Sequence, residues 1–154
     1  MALPGSNPRV PHPAFPLRHV TPVQIRFADI DIFGHVNNNA YMSYLDLGKA
    51  HYLTEVLPTG RDLTGLESVI VSIKIDFTGQ TFFHDHVQVV TAVSHIAPKA
   101  FTMEQRVICP ETADVRCIAT TTLVAFDKTS GRAVEVNPAW VEALELYEGR
   151  KLTD

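Results

Sequence analysis

An α+β fold, an antiparallel sheet wrapped around one long helix, is what this sequence predicts, and two patterns carry the expectation. Between Asn39 and Val56, apolar or aromatic residues recur at near-helical spacing (Tyr41, Tyr44, Leu45, Gly48, Tyr52, Val56). From Ser68 onward the period changes to two, through four segments joined by short connections. Successive strands with short connections imply antiparallel pairing, and a single striped helix buries its stripe against the sheet. With 154 residues and 45% hydrophobic content, the chain is sized for one core rather than two.

Each element has its own signals. Residues 1–21 hold Pro4, Pro8, Pro11, Pro13 and Pro16, which remove N–H donors and disfavour helix and central strand. They predict an extended arm, either disordered or lying along a neighbouring subunit, ahead of one domain over residues 22–150. A short strand is expected at Val23 to Ala28. The polar run Asp29 to Asn39 then leads into the long helix, which Asn37 or Asn38 caps and Pro58 with Gly60 ends. Gly48 costs about 1 kcal/mol inside a helix relative to alanine, which implies close approach of another backbone, such as a sheet.

In the next strand Val69, Val71, Ile73, Ile75 and Phe77 share one face, with Ser72, Lys74 and Asp76 on the other. Val87 to Ile96, Ala100 to Cys109 and Val115 to Phe126 repeat the alternation. A short strand at Ala133 to Val136 and a last helix from Asn137-Pro138 to about Tyr147 complete the order. Ile70, Val90, Ile118, Val124 and Phe126 place apolar side chains on the outer face, for which a second subunit is the economical cover.

Composition narrows the function. A net charge of −4 and a pI near 5.9 provide no basic field for nucleic acid. No apolar run reaches the roughly 18 residues of a membrane span, and no signal-peptide order opens the chain, so the expected setting is cytoplasmic. Cys109 and Cys117 are too few and too casually spaced for a disulfide framework or a zinc site. His84 and His86 share one strand face, but no third ligand stands at suitable spacing, so no metal or other cofactor is expected.

The stretch that carries chemistry is Arg26 to Tyr41, RFADIDIFGHVNNNAY. A strand running through a Gly-containing loop into a helix N-terminus aims N–H groups and a positive dipole end at whatever lies in front of it, and a carbonyl there is polarised. Asp31 fits a general base or nucleophile, or an Asx-turn residue; Asp29 fits a structural role, bonding loop N–H groups. His35 fits orientation of Asp31 or the loop through its ring nitrogens, or direct proton transfer.

The run DIDIFGHVNNNAYMSYLDLGK resembles the signature of hotdog-fold acyl-CoA thioesterases of the 4-hydroxybenzoyl-CoA thioesterase type, with SIKIDF and FFHDHVQV a looser likeness further on. The resemblance implies a hotdog fold assembling as a homodimer or a homotetramer of paired dimers. It implies hydrolysis of an acyl-CoA to free acid and CoA. Asp31 occupies the catalytic carboxylate's position, and Asn38 that of the backbone N–H polarising the thioester carbonyl, with His35 beside them. Gly34, which lets the loop approach the acyl group, stands with Val36, Asn37 and Tyr41 at the substrate, and Asp46 with Lys49 matches an acid and base one turn later. A hotdog hydratase or dehydratase and a non-catalytic acyl-CoA binder are the competing readings, since fold alone does not fix reaction.

Overall fold

The computed structural model describes residues 7–58 and 68–154. Pro4 and Gly60, which carried expectations for the arm and the helix end, lie outside the described residues. The chain forms strand β1 (His19–Val23), helix α1 (Asn38–Val56), strands β2 (Ser68–Phe77), β3 (Val87–Ile96), β4 (Ala100–Cys109), β5 (Asp114–Asp127) and β6 (Arg132–Ala133), and helix α2 (Pro138–Glu148). The sheet is antiparallel throughout, in the order β1-β3-β4-β5-β2, with β6 pairing the end of β5. Helix α1 packs on its inner face, so the expected α+β architecture holds.

The two capping expectations are met by particular bonds. Asn37 accepts the Ala40 N–H at 2.8 Å, and Asn137 accepts the Ala139 N–H at 2.9 Å ahead of Pro138. The close approach at Gly48 is to side chains of the sheet rather than to its backbone. A Cβ there would lie 2.6 Å from Val89 Cγ1 and 2.9 Å from Gln105 Nε2.

Other boundaries differ. The first strand is His19–Val23, so of the residues expected to be strand only Val23 is; residues 24–26 are irregular, and Phe27 and Ala28 fall in a single 3-10 turn, Phe27–Asp29. Pro22 lies inside β1, which is possible because β1 is an edge. Residues of the arm lie along the outer face of the chain's own sheet. Arg106 donates to the Pro11 carbonyl at 2.6 Å and Arg150 stacks over Phe15 at 4.3 Å. A cleft of about 330 Å³ separates arm from sheet beside Lys74, Ile118 and Thr120. That outer face is therefore partly covered from within the chain, and Val90 is buried.

A bulge accounts for a further correction. Ile70 pairs with Leu123 and Ser72 with Thr122, leaving Val71 as the extra residue. Because side chains alternate with period two, one inserted residue exchanges the faces of those before it. Ile70 thus shares the inner face with Ile73 and Ile75, and Val69 points outward, the reverse of simple alternation. At this edge Val69, Ile70 and Val71 all remain exposed.

Among the described residues, two clusters fill the interior. One surrounds the start of α1, with Val36, Tyr41, Tyr44, Leu45, Val89 and Val107. The other surrounds its end and α2, with Tyr52, Leu53, Phe101, Met103, Trp140 and Leu144.

Candidate active site

The loop between the 3-10 turn and α1 is closed on itself. An isolated bridge pairs Ile30 with Val36, and the Asp31 N–H donates to the His35 carbonyl at 2.9 Å. At the tip Gly34 adopts φ +83°, a left-handed conformation that glycine takes without steric cost. Its N–H donates to the Asp31 carbonyl at 3.1 Å. This closure returns the chain, within a few residues, from Asp31 to the head of the helix.

Asp31 is half-buried. Its Oδ1 accepts the Phe33 N–H at 2.9 Å and the His35 N–H at 3.3 Å. The Asx-turn foreseen for this residue is therefore present. Among the described residues Oδ2 receives no hydrogen bond, so half of the carboxylate is held and half is free. Asn38 and Asn39 head α1 and are exposed. N–H groups in a first turn have no intrahelical acceptor, so those beyond the reach of the cap remain open to a ligand oxygen.

Asp29 supports the loop from beneath. It is 4% exposed, and its carboxylate accepts the Arg26 N–H at 2.9 Å and the Tyr44 hydroxyl at 2.7 Å. Its carbonyl accepts the Asn37 N–H at 2.8 Å. Burial opposes its charge, but the Arg26 amide, the Tyr44 hydroxyl and the Arg26 guanidinium together hold the carboxyl below its ordinary value. Burial and the same carboxylate push the Tyr44 hydroxyl well up.

His35 contacts Asp31 through its backbone N–H. Its ring instead meets Phe82 edge-on, with centroids 5.2 Å apart. Gly34 is exposed at the tip, Asn37 caps the helix, and Val36 and Tyr41 are buried. The Tyr41 hydroxyl is 2.7 Å from Thr81 Oγ1, and Thr81 was not legible from the sequence as part of this region. One turn on, Lys49 is buried with Nζ 3.3 Å from Asp46 and 3.4 Å from Gln105, and burial lowers its pKa despite Asp46.

The histidines further along engage locally. His86 Nδ1 lies 2.8 Å from Glu111, His84 packs against Phe83, and Asp85 accepts from the Phe82 amide and Arg116, both at 2.9 Å. No group of three His, Cys, Asp or Glu side chains suited to a metal occurs among the described residues. No helix among them is long and apolar enough to cross a membrane.

The chain matches the thioesterase-like superfamily over residues 25–144, which includes the whole loop and α1. No curated protein sequence matches it. Among solved structures it is similar to a thioesterase from Thermus thermophilus complexed with coenzyme A and zinc, at 26% identity and TM-score 0.78, covering 86% of this chain and 96% of that one. It is also similar to a probable thioesterase from Escherichia coli, at 20% identity and TM-score 0.74, covering 85% and 99%. A 1,4-dihydroxy-2-naphthoyl-CoA thioesterase from Synechocystis gives 17% identity and TM-score 0.73, covering 82% and 94%.

Proposed function

Because the chain belongs to the thioesterase-like superfamily, we propose that it is an acyl-CoA thioesterase in which Asp31 delivers water to the thioester carbonyl. The observation that carries the reading is the half-held carboxylate: Phe33 and His35 amides fix Oδ1 while, among the described residues, Oδ2 receives no hydrogen bond, in the loop that leads into the head of α1. A carboxylate so oriented acts as a general base without having to be ordered at the moment of reaction.

In the proposed step, Oδ2 removes a proton from water as the water oxygen bonds to the carbonyl carbon. The carbonyl oxygen becomes an oxyanion, received by the Asn38 N–H, a contribution on the order of 3 kcal/mol in acyl-transfer sites. Collapse breaks the carbon–sulfur bond, and the proton held by Asp31 returns to the departing thiolate. Direct attack by Asp31, through an anhydride, uses the same geometry. Gly34 has no side chain to obstruct the acyl group, and Asn37 keeps the helix head in place.

The exposed apolar rim suits a wall supplied by a second copy. Ile32 is 94% and Phe33 75% exposed beside Asp31, and among the described residues the β2 edge is unpaired and exposes Val69, Ile70 and Val71. A homodimer or homotetramer, with substrate between copies, belongs to the proposal. So do the narrower 4-hydroxybenzoyl-CoA thioesterase type, supported by the D-x-D-x-x-G-H-V-N-N run, and a cytoplasmic setting, consistent with the free thiols Cys109 and Cys117. A hydratase would call for an Asp31 and His35 ring pair, whereas the His35 ring packs on Phe82.

Thiol release from short, medium, long-chain and aromatic acyl-CoAs tests the reading, with Asp31→Asn alongside. Turnover that falls at least roughly a hundredfold in the variant, with modest change in KM, is expected. Near-normal turnover by Asp31→Asn removes Asp31 from the mechanism, and hydration products in place of free thiol indicate the hydratase.

A further inference from the structure

Tyr41 and Thr81 are both buried, at 3% and 0% exposure, and neither side chain reaches the surface where substrate would lie. Thr81 nevertheless touches both halves of the site. Its carbonyl accepts the Val36 N–H at 2.8 Å, at the end of the reactive loop. Its hydroxyl is 2.7 Å from the hydroxyl of Tyr41, on the first turn of α1, and that hydroxyl also faces the Gly79 carbonyl at 3.4 Å. One residue therefore joins the loop carrying Asp31 to the helix head carrying Asn38.

The segment that supplies Thr81 is itself fixed to β5. The Thr78 and Gly79 amides donate to the Arg116 carbonyl at 3.0 and 3.2 Å, and Thr78 Oγ1 donates to the Val115 carbonyl at 2.6 Å. Arg116 Nη1 binds the Gln80 carbonyl and, at 2.9 Å, Asp85. On its far side Asn7 donates to the Thr78 carbonyl at 3.0 Å and Arg9 to the Phe77 carbonyl at 3.1 Å. Thr81 thus reports to the loop the position of the sheet, not merely of its neighbours.

We propose that Thr81 and Tyr41 are positioning residues, a buried clamp that sets the distance between the Asp31 carboxylate and the N–H groups at the head of α1. The inference rests on the thioesterase reading for its kinetic consequence, and it moves Tyr41 from a substrate contact to a support. Attack on a carbonyl demands that base and oxyanion donor be held together, and displacement of about 1 Å costs up to about a hundredfold in rate. A clamp of two buried hydroxyls provides that stiffness.

The test is Thr81→Val, which keeps the shape and the carbonyl but removes the hydroxyl, with Tyr41→Phe as the second variant should the first fail to fold and Thr81→Ser as the rescue. Thr81→Val and Tyr41→Phe are expected to lower kcat roughly tenfold with KM within about twofold, while Thr81→Ser restores kcat. Faster amide exchange at Val36 in Thr81→Val is expected whatever the substrate proves to be. Unchanged exchange overturns the clamp. Faster exchange with unchanged kcat overturns its part in the reaction, and a rise in KM alone returns Tyr41 to the substrate. If the wild type releases no thiol from any acyl-CoA, the thioesterase reading fails and the exchange result still decides the clamp.

Discussion

The two ends of α1 use the same device to different effect. Near its start the Tyr44 hydroxyl donates to the buried carboxylate of Asp29 at 2.7 Å; two turns later the Tyr52 hydroxyl donates to the buried carboxylate of Glu148 at 2.5 Å. At the far end Glu148 also accepts the Val93 N–H at 3.0 Å, and large residues of α2 seal the cluster. At the near end Asp29 instead supports the self-closed loop at the helix head, two residues from a second carboxylate, Asp31. A tyrosine–carboxylate pair is therefore a fastener in this fold, and on the proposed reading the chemistry falls to the additional acid, Asp31, one of whose oxygens receives no hydrogen bond among the described residues.

Glu148→Ala makes the largest break in the comparison. It leaves the Tyr52 hydroxyl and the Val93 N–H buried without their partner, and a loss of about 3 kcal/mol is expected. At this chain length that corresponds to roughly 10 °C in Tm, read by thermal unfolding. Activity per folded molecule should persist; its disappearance would mean that the closed end also serves the site. Asp29→Ala should cost about 2 kcal/mol and also depress thiol release by at least roughly tenfold, because the loop loses its support. A variant destabilised but fully active at low temperature would make the two pairs equivalent.

Gly48→Ala tests the middle of the helix. The added Cβ meets Val89 and Gln105 at less than 3 Å, and overpacking of about 1–3 kcal/mol outweighs the roughly 1 kcal/mol gained in helix propensity. Denaturant unfolding should show net loss. A stabilised variant would show that the sheet yields at this point.

The smallest effect is the acid dependence at the near end. Asp29 has a folded pKa held below its unfolded value, so the stability it contributes is fully present above about pH 4 and lost as pH falls through the depressed value. Unfolding from pH 5 downward should be less steep in Asp29→Asn than in the wild type. Identical acid limbs would assign acid sensitivity to other carboxylates.

Much of this arrangement was written locally in the sequence. The period of 3.6 marked α1, the period of two marked β3 to β5, and the side-chain caps Asn37 and Asn137 stood within three residues of the amides they serve. The features without a local signal are non-local or break a period. Thr81 lies 40 residues from Tyr41, and nothing in TGQTFF distinguishes its fourth residue as a clamp. Val71 adds one residue inside the apolar run Val69, Ile70 and Val71, where the letters do not say which face each takes, so only pairing with β5 reveals the exchange of faces. His19 and Pro22 belong to β1, which stands at an edge of the sheet among the described residues, whereas the expected strand began at Val23. The arm's place was likewise set by distant partners, Arg106 and Arg150.

The sheet's two rims offer different invitations to a passing chain. On β1 a proline interrupts the outer row of donors, so a foreign strand would find the ladder incomplete. The β2 rim has no such interruption, although its bulge bends the line. Two copies meeting through β2 about a twofold axis would bury both receptive rims and turn both proline-bearing ones outward, giving a finite body instead of a fibre. Replacing Pro22 with a β-branched residue would remove that terminator and, at high concentration, favour filaments.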